Sequence, residues 1–536
     1  MTKVVIDPIT RIEGHLRITC QVENGKVVDA WNTATLFRGF EVFMRNRHPN
    51  DCWHFAQRIC GVCPNPHAHN SVLACERAMG VEKVPDNARL VRNMLDATQL
   101  GYDSILWFYV LNAFDYVNVP NTLKAKPTLP TLKAVQDQVK AVVDSGQLGP
   151  FAGMYWDHPG YKLPAELDLE LTAHYLQSIE AQAAANRACA YIAGKFPMIM
   201  TQIPGGIVAL PTLDQIEYYK GQMQIVKDFT DNVMLPDLLA IAPFYLDLAT
   251  TGSGTRNYLT WGVLDAKSQD PKDRLFPSGG IAGDLKVFDV STDKTKIFAK
   301  HSYYDDAVGM GKAPIDSYQE PLDFTGLPPI EGDKLPEGKY DWTRAARYDH
   351  SGQALPMEVG PLAEVLVAYL REVQTPLFGS NVGPSGRSPS AKTLVDSVLA
   401  AVGHPGEVAL LQSNLGRIAA RVIKAKINTD NALRWAEELE ANIAKGDTTC
   451  FTKPPHPQEG TGAGGWDAPR GALCHYVEIK NGLTTRYAAV PASNWNLSPR
   501  DDNDVRGPVE EALVGTPVAD TTKPLEILRV VHTFDP

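Results

Sequence analysis

The sequence predicts an α+β fold, a helix-rich core with peripheral β-hairpins and one irregular β excursion. Three observations predict it: apolar residues recur at helical spacing through most of the middle of the chain, both ends alternate with period two, and Gly, Pro, Asp and Lys crowd one stretch between two helical regions. The chain has 536 residues, 44% hydrophobic and 21% charged, several times the length that one core requires, so it can bury a deep site.

The opening VVIDPITRIEGHLRITCQVENGKVVDAWN alternates apolar and polar positions and is cut by Asn24-Gly25, which predicts a hairpin with a tight turn and Glu13 near one end. From about Val84 the pattern becomes helical, over Ala88 to Phe114, Ala165 to Ile192 and Leu213 to Leu239. Residues 250 to 350 carry short β-prone runs such as LKVFDV and KIFAKHSYY among breakers, which predicts the β excursion. Helical pattern returns at Pro361 to Val373 and from Glu407 onward, where Leu411, Leu415, Ile418 and Val422 form one core-facing stripe. The stretch 452–472, TKPPHPQEGTGAGGWDAPRGA, has no period and much Gly and Pro, so it is expected to be a loop that approaches something closely. Three β-prone runs follow: ALCHYVEIKNG, TTRYAAVPA and LEILRVVHTFDP. The chain reads as one domain, 1–536, in five stretches: N-terminal strands and a CxxC loop (1–80), a helical core (81–250), the β-containing region (251–350), a helical stretch (351–450), and a loop with C-terminal strands (451–536).

A formal charge of -11 and the lack of a dense Lys/Arg run leave no positive field for phosphates, so nucleic acid is not an expected partner. No run approaches the roughly 20 apolar residues that span a bilayer. The most apolar, Ile105 to Ala113, is about half that length and contains Asn112, so no transmembrane segment is expected. The N-terminus MTKVVIDPITRIEG lacks the regions of a secretory signal, so export would depend on a partner that carries one. Eight cysteines, at 20, 52, 60, 63, 75, 189, 450 and 474, are too few and too unevenly spaced for a disulfide framework. Most read as small buried hydrophobes.

Only Cys60 and Cys63 stand at a spacing that chemistry regularly uses. In RICGVCPNPH, Arg58 to His67, two thiols two residues apart can turn toward one ion, and Gly61 allows a tight backbone. A CxxC alone serves zinc half-sites, dithiol redox centres, iron-sulfur clusters and nickel sites alike. A zinc ribbon lacks its second CxxC, since Cys450 and Cys474 stand apart in a Gly-rich stretch and a β-prone run. A thioredoxin-like centre expects the motif to open a helix after a strand, whereas Pro64 and Pro66 follow it at once.

RIEGH at 11–15, FRGFE at 37–41, RICGVCPNPH at 58–67, DAPRGA at 467–472, VPASNWN at 490–496 and HTFDP at 532–536 resemble, in order and across nearly the whole chain, the signature blocks of nickel-iron hydrogenase large subunits. The resemblance implies a Ni ion and an Fe ion sharing four thiolates, the Fe also carrying CO and two cyanides. Cys60 would be terminal on Ni and Cys63 would bridge the metals. It also implies that Arg470 lies over the diatomic ligands, held by Asp103 and Asp535, and that Pro469, Val490 and Pro491 line the cofactor. Outside DAPRGA, Arg470 would read as an ordinary loop arginine. Glu13 matches the glutamate that takes the proton from the terminal nickel thiolate, and its bland alternative is a solvated acid beside Arg11. His67 matches a histidine near the bridging thiolate. Glu41 and the carbonyl of Ala488 match ligands of a distant Mg or Fe ion. Where many members place Ser or Thr after Val-Pro to bond a cyanide, this chain has Ala492.

The implied reaction is reversible oxidation of H2 to two protons and two electrons. This chain has no cysteine set for an iron-sulfur cluster, so the resemblance implies a heterodimer with an iron-sulfur small subunit, a cytochrome or other redox carrier as acceptor, and a periplasmic location reached with a signal-bearing partner. Three readings compete with this one. A metal-free quinone-site subunit of respiratory complex I would have lost Cys60 and Cys63, a zinc scaffold would bind Zn without Ni, and a hydrogen sensor would turn over slowly. The chain stops after Pro536, where DPCxxCxxH requires its first metal-binding residue. The expectation is a selenocysteine there, as in the nickel-iron-selenium branch, with an ordinary cysteine tail as the alternative.

Overall fold

A computed structural model of the chain describes residues 1–536 apart from 153, 266, 268–269, 318–333, 375–387 and 457. Three strands, β1 (Thr2–Ile6), β2 (Leu16–Glu23) and β3 (Lys26–Ala34), form an antiparallel meander. Pairing of Glu23 with Lys26 leaves Asn24 (φ 51°) and Gly25 (φ 72°) as the two central turn residues, both left-handed as a two-residue hairpin with the native twist requires. The β1–β2 connection holds RIEGH.

Five long helices build the core: α1 (Pro64–Ala78), α2 (Asp86–Leu106), α3 (Ala165–Ala193), α4 (Leu213–Phe229) and, after α5 (Pro361–Gln374), α6 (Asn414–Ala444). Met94, Ala97, Ala184, Ala188, Met223, Val226, Ala425 and Ala432 are buried in one apolar cluster, the small residues letting helix axes approach while Met and Val fill the remaining space. Leu411, Leu415, Ile418 and Val422 are all buried there, but Leu411 lies in a short 3-10 turn (Val408–Leu411) before α6, so the helical stripe itself begins at Leu415. All eight cysteines are free, and seven are buried. The apolar helical segment that continues from α4 corrects one expectation. Among the described residues Leu213–Thr250 is long and apolar enough to cross a membrane by length and composition alone. The expectation counted unbroken apolar runs and so missed a long helix with interspersed charges; Ile216, Tyr219, Met223, Val226 and Phe229 form its buried face.

The β excursion appears as short strands, Asn257–Thr260, Gly279–Ala282, Val287–Phe288, Thr295–Phe298 and Ala345–His350. The part of it at 318–333 lies outside the described residues.

Two expectations near the C-terminus are overturned. The stretch expected as a loop contains a regular strand, β4 (Glu459–Ala468), which pairs with β5 (Gly471–Lys480) and through it with β6 (Leu483–Val490). Its alternate glycines explain both the error and the close approach. A Cβ at Gly460, Gly462 or Gly464 would run into the carbonyl oxygens of Ala78, Ala74 and Asn70, so α1 lies directly on this face of the strand. The last β-prone run is instead a helix, α7 (Leu525–Thr533), whose Leu525, Ile527, Leu528, Val530 and Val531 are buried, most of them against the N-terminal meander.

Candidate metal centre

The CxxC loop ends at α1. Cys63 is the N-cap and Pro64 the first helical residue, a position where the missing N–H costs nothing. This corrects the expectation that prolines keep the motif from opening a helix. The first-turn N–H groups and the positive end of the helix favour charge on sulfur. Cys60 and Cys63 are both buried, and the Cys63 N–H donates to Cys60 Sγ at 3.0 Å. Burial raises the Cys60 thiol, but hydrogen bonding from Cys63 and the Arg470 charge outweigh it and bring the group below its usual range. Cys63 is pushed well above that range, first by hydrogen bonding to Cys60 and then by burial. Of the metal-free pair, Cys60 is therefore the thiol that gives up its proton more readily.

Glu13 reaches the same loop, its Oε1 accepting from Gly61 N at 2.9 Å, and its own N–H donates to the carbonyl of Pro536 at 3.2 Å. The end of α7 is therefore brought beside the CxxC. Asp535 takes φ 56°, a left-handed conformation that Asp tolerates better than most residues. Its Oδ1 meets Arg470 Nη2 at 3.0 Å, and its Oδ2 meets Arg421 Nη1 at 2.9 Å. Arg421 stacks over Trp107, 4.5 Å from the ring centroid, and also donates to Pro469 O at 3.5 Å.

Arg470 stands with Pro469 at the two-residue tip of the β4–β5 hairpin, between paired Ala468 and Gly471. Gly471 (φ 115°) packs on the backbone of Gly360, where a Cβ would collide. Burial opposes the Arg470 charge, but Asp535, both cysteines and Asp103 hold its pKa above the ordinary value. Its Nε and Nη1 are buried with no hydrogen-bond partner among the described residues. Asp103 does not bond Arg470 directly. Its Oδ2 accepts from Gln99 Nε2 at 2.7 Å, the same amide that donates to Val62 O at 2.9 Å, and burial raises Asp103 to about 7 despite Arg470.

His67 lies one turn along α1 from Cys63 and contacts His475 of β5, Nδ1 to Nε2, at 3.1 Å. Burial, then Arg470, lowers His67 to about 3, so its ring is neutral. Val490 closes β6 opposite Cys474, Pro491 caps the short helix Ala492–Asn496, and Ala492 is buried. Glu41 belongs to a separate set of contacts. It is buried, accepts from Arg344 Nη2 at 2.8 Å and from Ala489 N at 3.1 Å, and stands beside Ala488 of β6. Burial raises its pKa although Arg344 opposes the shift. Among the described residues no three His, Cys, Asp or Glu converge as a metal-binding group.

Sequence reasoning missed Arg421, Gln99, His475 and Tyr487. Arg421 abuts the apolar stripe of α6, and only its burial beside Asp535 distinguishes it. His475 was hidden in a run read simply as a strand.

The residues fit a nickel–iron group. Two buried thiols on one loop are soft donors, and a buried guanidinium beside them retains two unpaired nitrogens for an anionic or polar ligand.

A family model described as nickel-dependent hydrogenase matches residues 38–536, and a second, described as HoxL-like, matches 3–33. The chain is 38% identical over 569 residues to the hydrogenase-2 large chain of Escherichia coli, covering 100% of this chain and 96% of that one. It is 35% identical to the uptake hydrogenase large subunit of Rhizobium leguminosarum, covering 100% and 94%. Among solved structures it superposes on the Ni-Fe-Se hydrogenase of D. vulgaris Hildenborough in the reduced state with a TM-score of 0.82 at 30% identity, covering 100% of this chain and 98% of that one.

Proposed function

The chain belongs to the nickel-dependent hydrogenase family, and from that premise we propose which of its residues carry the reaction. It is the catalytic subunit of a hydrogenase that oxidises H2 reversibly to two protons and two electrons at a nickel–iron centre and passes the electrons to a small subunit.

Our assignment gives Cys60 to nickel as a terminal ligand and Cys63 to both metals. The observation that carries it is Arg470: a buried guanidinium with Nε and Nη1 unpaired costs roughly 1–3 kcal/mol or more per unmet group unless a ligand completes it. Carbon monoxide and two cyanides on the iron are the ligands we assign, lined by Pro469, Val490 and Pro491. When bound, the centre polarises H2 and accepts its two electrons. Glu13 receives the proton from the Cys60 side, because its carboxyl is tied to Gly61, the next residue along the loop. Asp535 pairs with Arg470 by charge, and Asp103 also lowers the cost of burying that charge. Cys60 and Cys63 are buried, whereas Glu13 is half-buried and Gly61 exposed, so the proton leaves the buried thiolates at the edge of the chain's interior.

Glu41 and the carbonyl of Ala488 are assigned to a second ion, Mg or Fe, which would replace Arg344 as the counter-charge of Glu41. The small subunit is assigned the iron-sulfur clusters, a cytochrome or other redox carrier the acceptor role, and the periplasm the location, with export through the small subunit. Full-length likeness to a Ni-Fe-Se hydrogenase supports the selenium branch. Metal and selenium analysis of the purified complex, with infrared bands of CO and cyanide, tests this reading. Zinc without nickel, or nickel without those bands, would defeat it.

A further inference from the structure

The loop between β1 and β2, which carries Glu13, is held at its apex by side chains from two distant elements. We propose that His532 of α7 is a positioning residue for the proton step: anchored on Asp115, it holds the carbonyl of Thr10 and so sets where the Glu13 carboxyl lies beside Gly61. The inference rests on the reading of Glu13 as proton acceptor and extends it to a residue of the HTFDP block that had no part in it.

His532 uses both ring nitrogens. Nδ1 meets Asp115 Oδ2 at 2.6 Å, and Nε2 meets the carbonyl oxygen of Thr10 at 2.9 Å. Asp115 closes the 3-10 turn Ala113–Asp115, which follows the π-helical turn Trp107–Asn112 at the end of α2. Its other carboxylate oxygen accepts from Arg11 Nη2 at 2.6 Å, and Arg11 Nη1 donates to Leu111 O at 2.6 Å. The same segment holds His532 by its backbone, whose carbonyl accepts from Trp107 Nε1 at 2.9 Å. Arg529, one turn earlier on α7, donates to Asp115 O through Nε at 2.9 Å and Nη2 at 2.6 Å. Asp115, Arg529 and His532 are all buried.

The direction of each bond follows from the partners. Burial opposes charge on Asp115, but Arg11 and His532 outweigh it and hold its carboxyl at about 2, so it can only accept. The Thr10 carbonyl has no hydrogen to give either. Both His532 nitrogens therefore donate, and the ring cannot turn without breaking two bonds at once. The loop needs such a tether. Arg11 stands at φ 58°, a left-handed conformation that is costly for a residue with its side chain, so the apex keeps this shape only while its anchors hold. Arg11 ties down one side chain, whereas His532 ties down the backbone itself. Three residues on, Glu13 meets Gly61 with its carboxyl and Pro536 with its N–H, so a shift of the apex moves the carboxyl relative to Cys60. A displacement of about 1 Å can cost a transfer step roughly 10²-fold.

The test uses the complex with its small subunit and three variants that separate the two ring bonds. In His532→Gln the amide nitrogen can take the place of Nε2 and donate to Thr10. In His532→Asn it takes the place of Nδ1 and reaches only Asp115, and His532→Leu makes neither bond. Two rates are read per nickel: exchange of deuterium gas with solvent protons, which needs the proton to leave the centre, and interconversion of para- and ortho-hydrogen, which needs only cleavage and recombination. His532→Asn and His532→Leu are expected to lose roughly 10²-fold in exchange while keeping interconversion, and His532→Gln to keep both. Unchanged exchange in His532→Asn and His532→Leu overturns the proposal. So does a His532→Gln as slow as His532→Leu, since the bond to Thr10 would then not be what matters. A parallel fall of interconversion, or loss of nickel, in His532→Asn and His532→Leu also overturns it, because His532 would then support the metal centre and not the proton step. Glu13→Gln is the control: full exchange there defeats the reading of Glu13 itself.

Discussion

Two buried arginine–carboxylate pairs, Arg470 with Asp535 and Arg344 with Glu41, use the same chemistry to opposite ends. Arg344 is nearly saturated: Nη2 bonds Glu41 and Nη1 bonds Ser317, both its hydroxyl and its carbonyl, leaving only Nε unpaired. Arg470 is ion-paired with Asp535 through Nη2 at 3.0 Å and leaves both Nε and Nη1 without partners among the described residues, beside two thiols. A saturated pair mainly holds β6 against the segment around Glu41. An unsaturated one is prepared for a group that the chain does not itself contain. The two sites we propose therefore differ in kind: a ligand at Arg470 would complete nitrogens left unmet, whereas an ion at Glu41 would have to replace a bond that Arg344 already makes.

The comparison breaks most completely at Cys60. In Cys60→Ser an alcohol replaces a soft, ionised thiolate, and nickel should be absent by elemental analysis of the complex; full nickel content with normal uptake would remove the assignment. Next comes Glu13→Gln, which should retain both metals and lose roughly 10²–10⁴-fold in turnover, because only proton transfer is affected. Exchange of deuterium with solvent protons at the wild-type rate would exclude Glu13. Arg470→Lys should keep the metals and slow turnover roughly 10²-fold, since a flexible ammonium does not reproduce the fork of donors; unchanged steady-state kinetics would place Arg470 outside the site.

The Arg344 side should respond in stability instead. Arg344→Met leaves Glu41 buried without its cation and should lower unfolding stability by about 3 kcal/mol with turnover per nickel retained. If added Mg restores the lost stability, Glu41 has gained the ion we assign to it. The smallest effect is a pH slope from Asp103. Its pKa rises from 3.8 to about 7 on folding, so the folded state binds the extra proton; the stability this contributes is complete below pH 3.8 and lost as pH rises through 7. Denaturant melts of metal-free protein should therefore weaken between pH 4 and 7, and Asp103→Asn should flatten that slope.

Much of the helical core was legible because Leu415, Ile418 and Val422 repeat at helical spacing and that face is buried. The β4 strand was not, since Gly460, Gly462 and Gly464 carry no hydropathy signal; their alternation has meaning only once the carbonyls of α1 lie against them. LEILRVVHTFDP failed for another reason. Its β-branched residues favour a strand locally, but its apolar residues are buried as a helix, chiefly against the N-terminal meander, and tertiary burial overrides so short a preference.

The sequence by itself nominated the donors we propose: two thiols, and, through the resemblance of its motif blocks, an arginine and a glutamate. Spacing conveyed only the thiol pair, because Cys60 and Cys63 are neighbours whatever the fold. Only the tertiary structure decided that Pro536 meets Glu13, that Arg421 shares Asp535 with Arg470, and that Tyr487 reaches His67 through His475. These contacts join residues tens to hundreds of positions apart. Hydropathy and propensity say that a side chain is buried, but they do not say which distant partner will satisfy its hydrogen bonds.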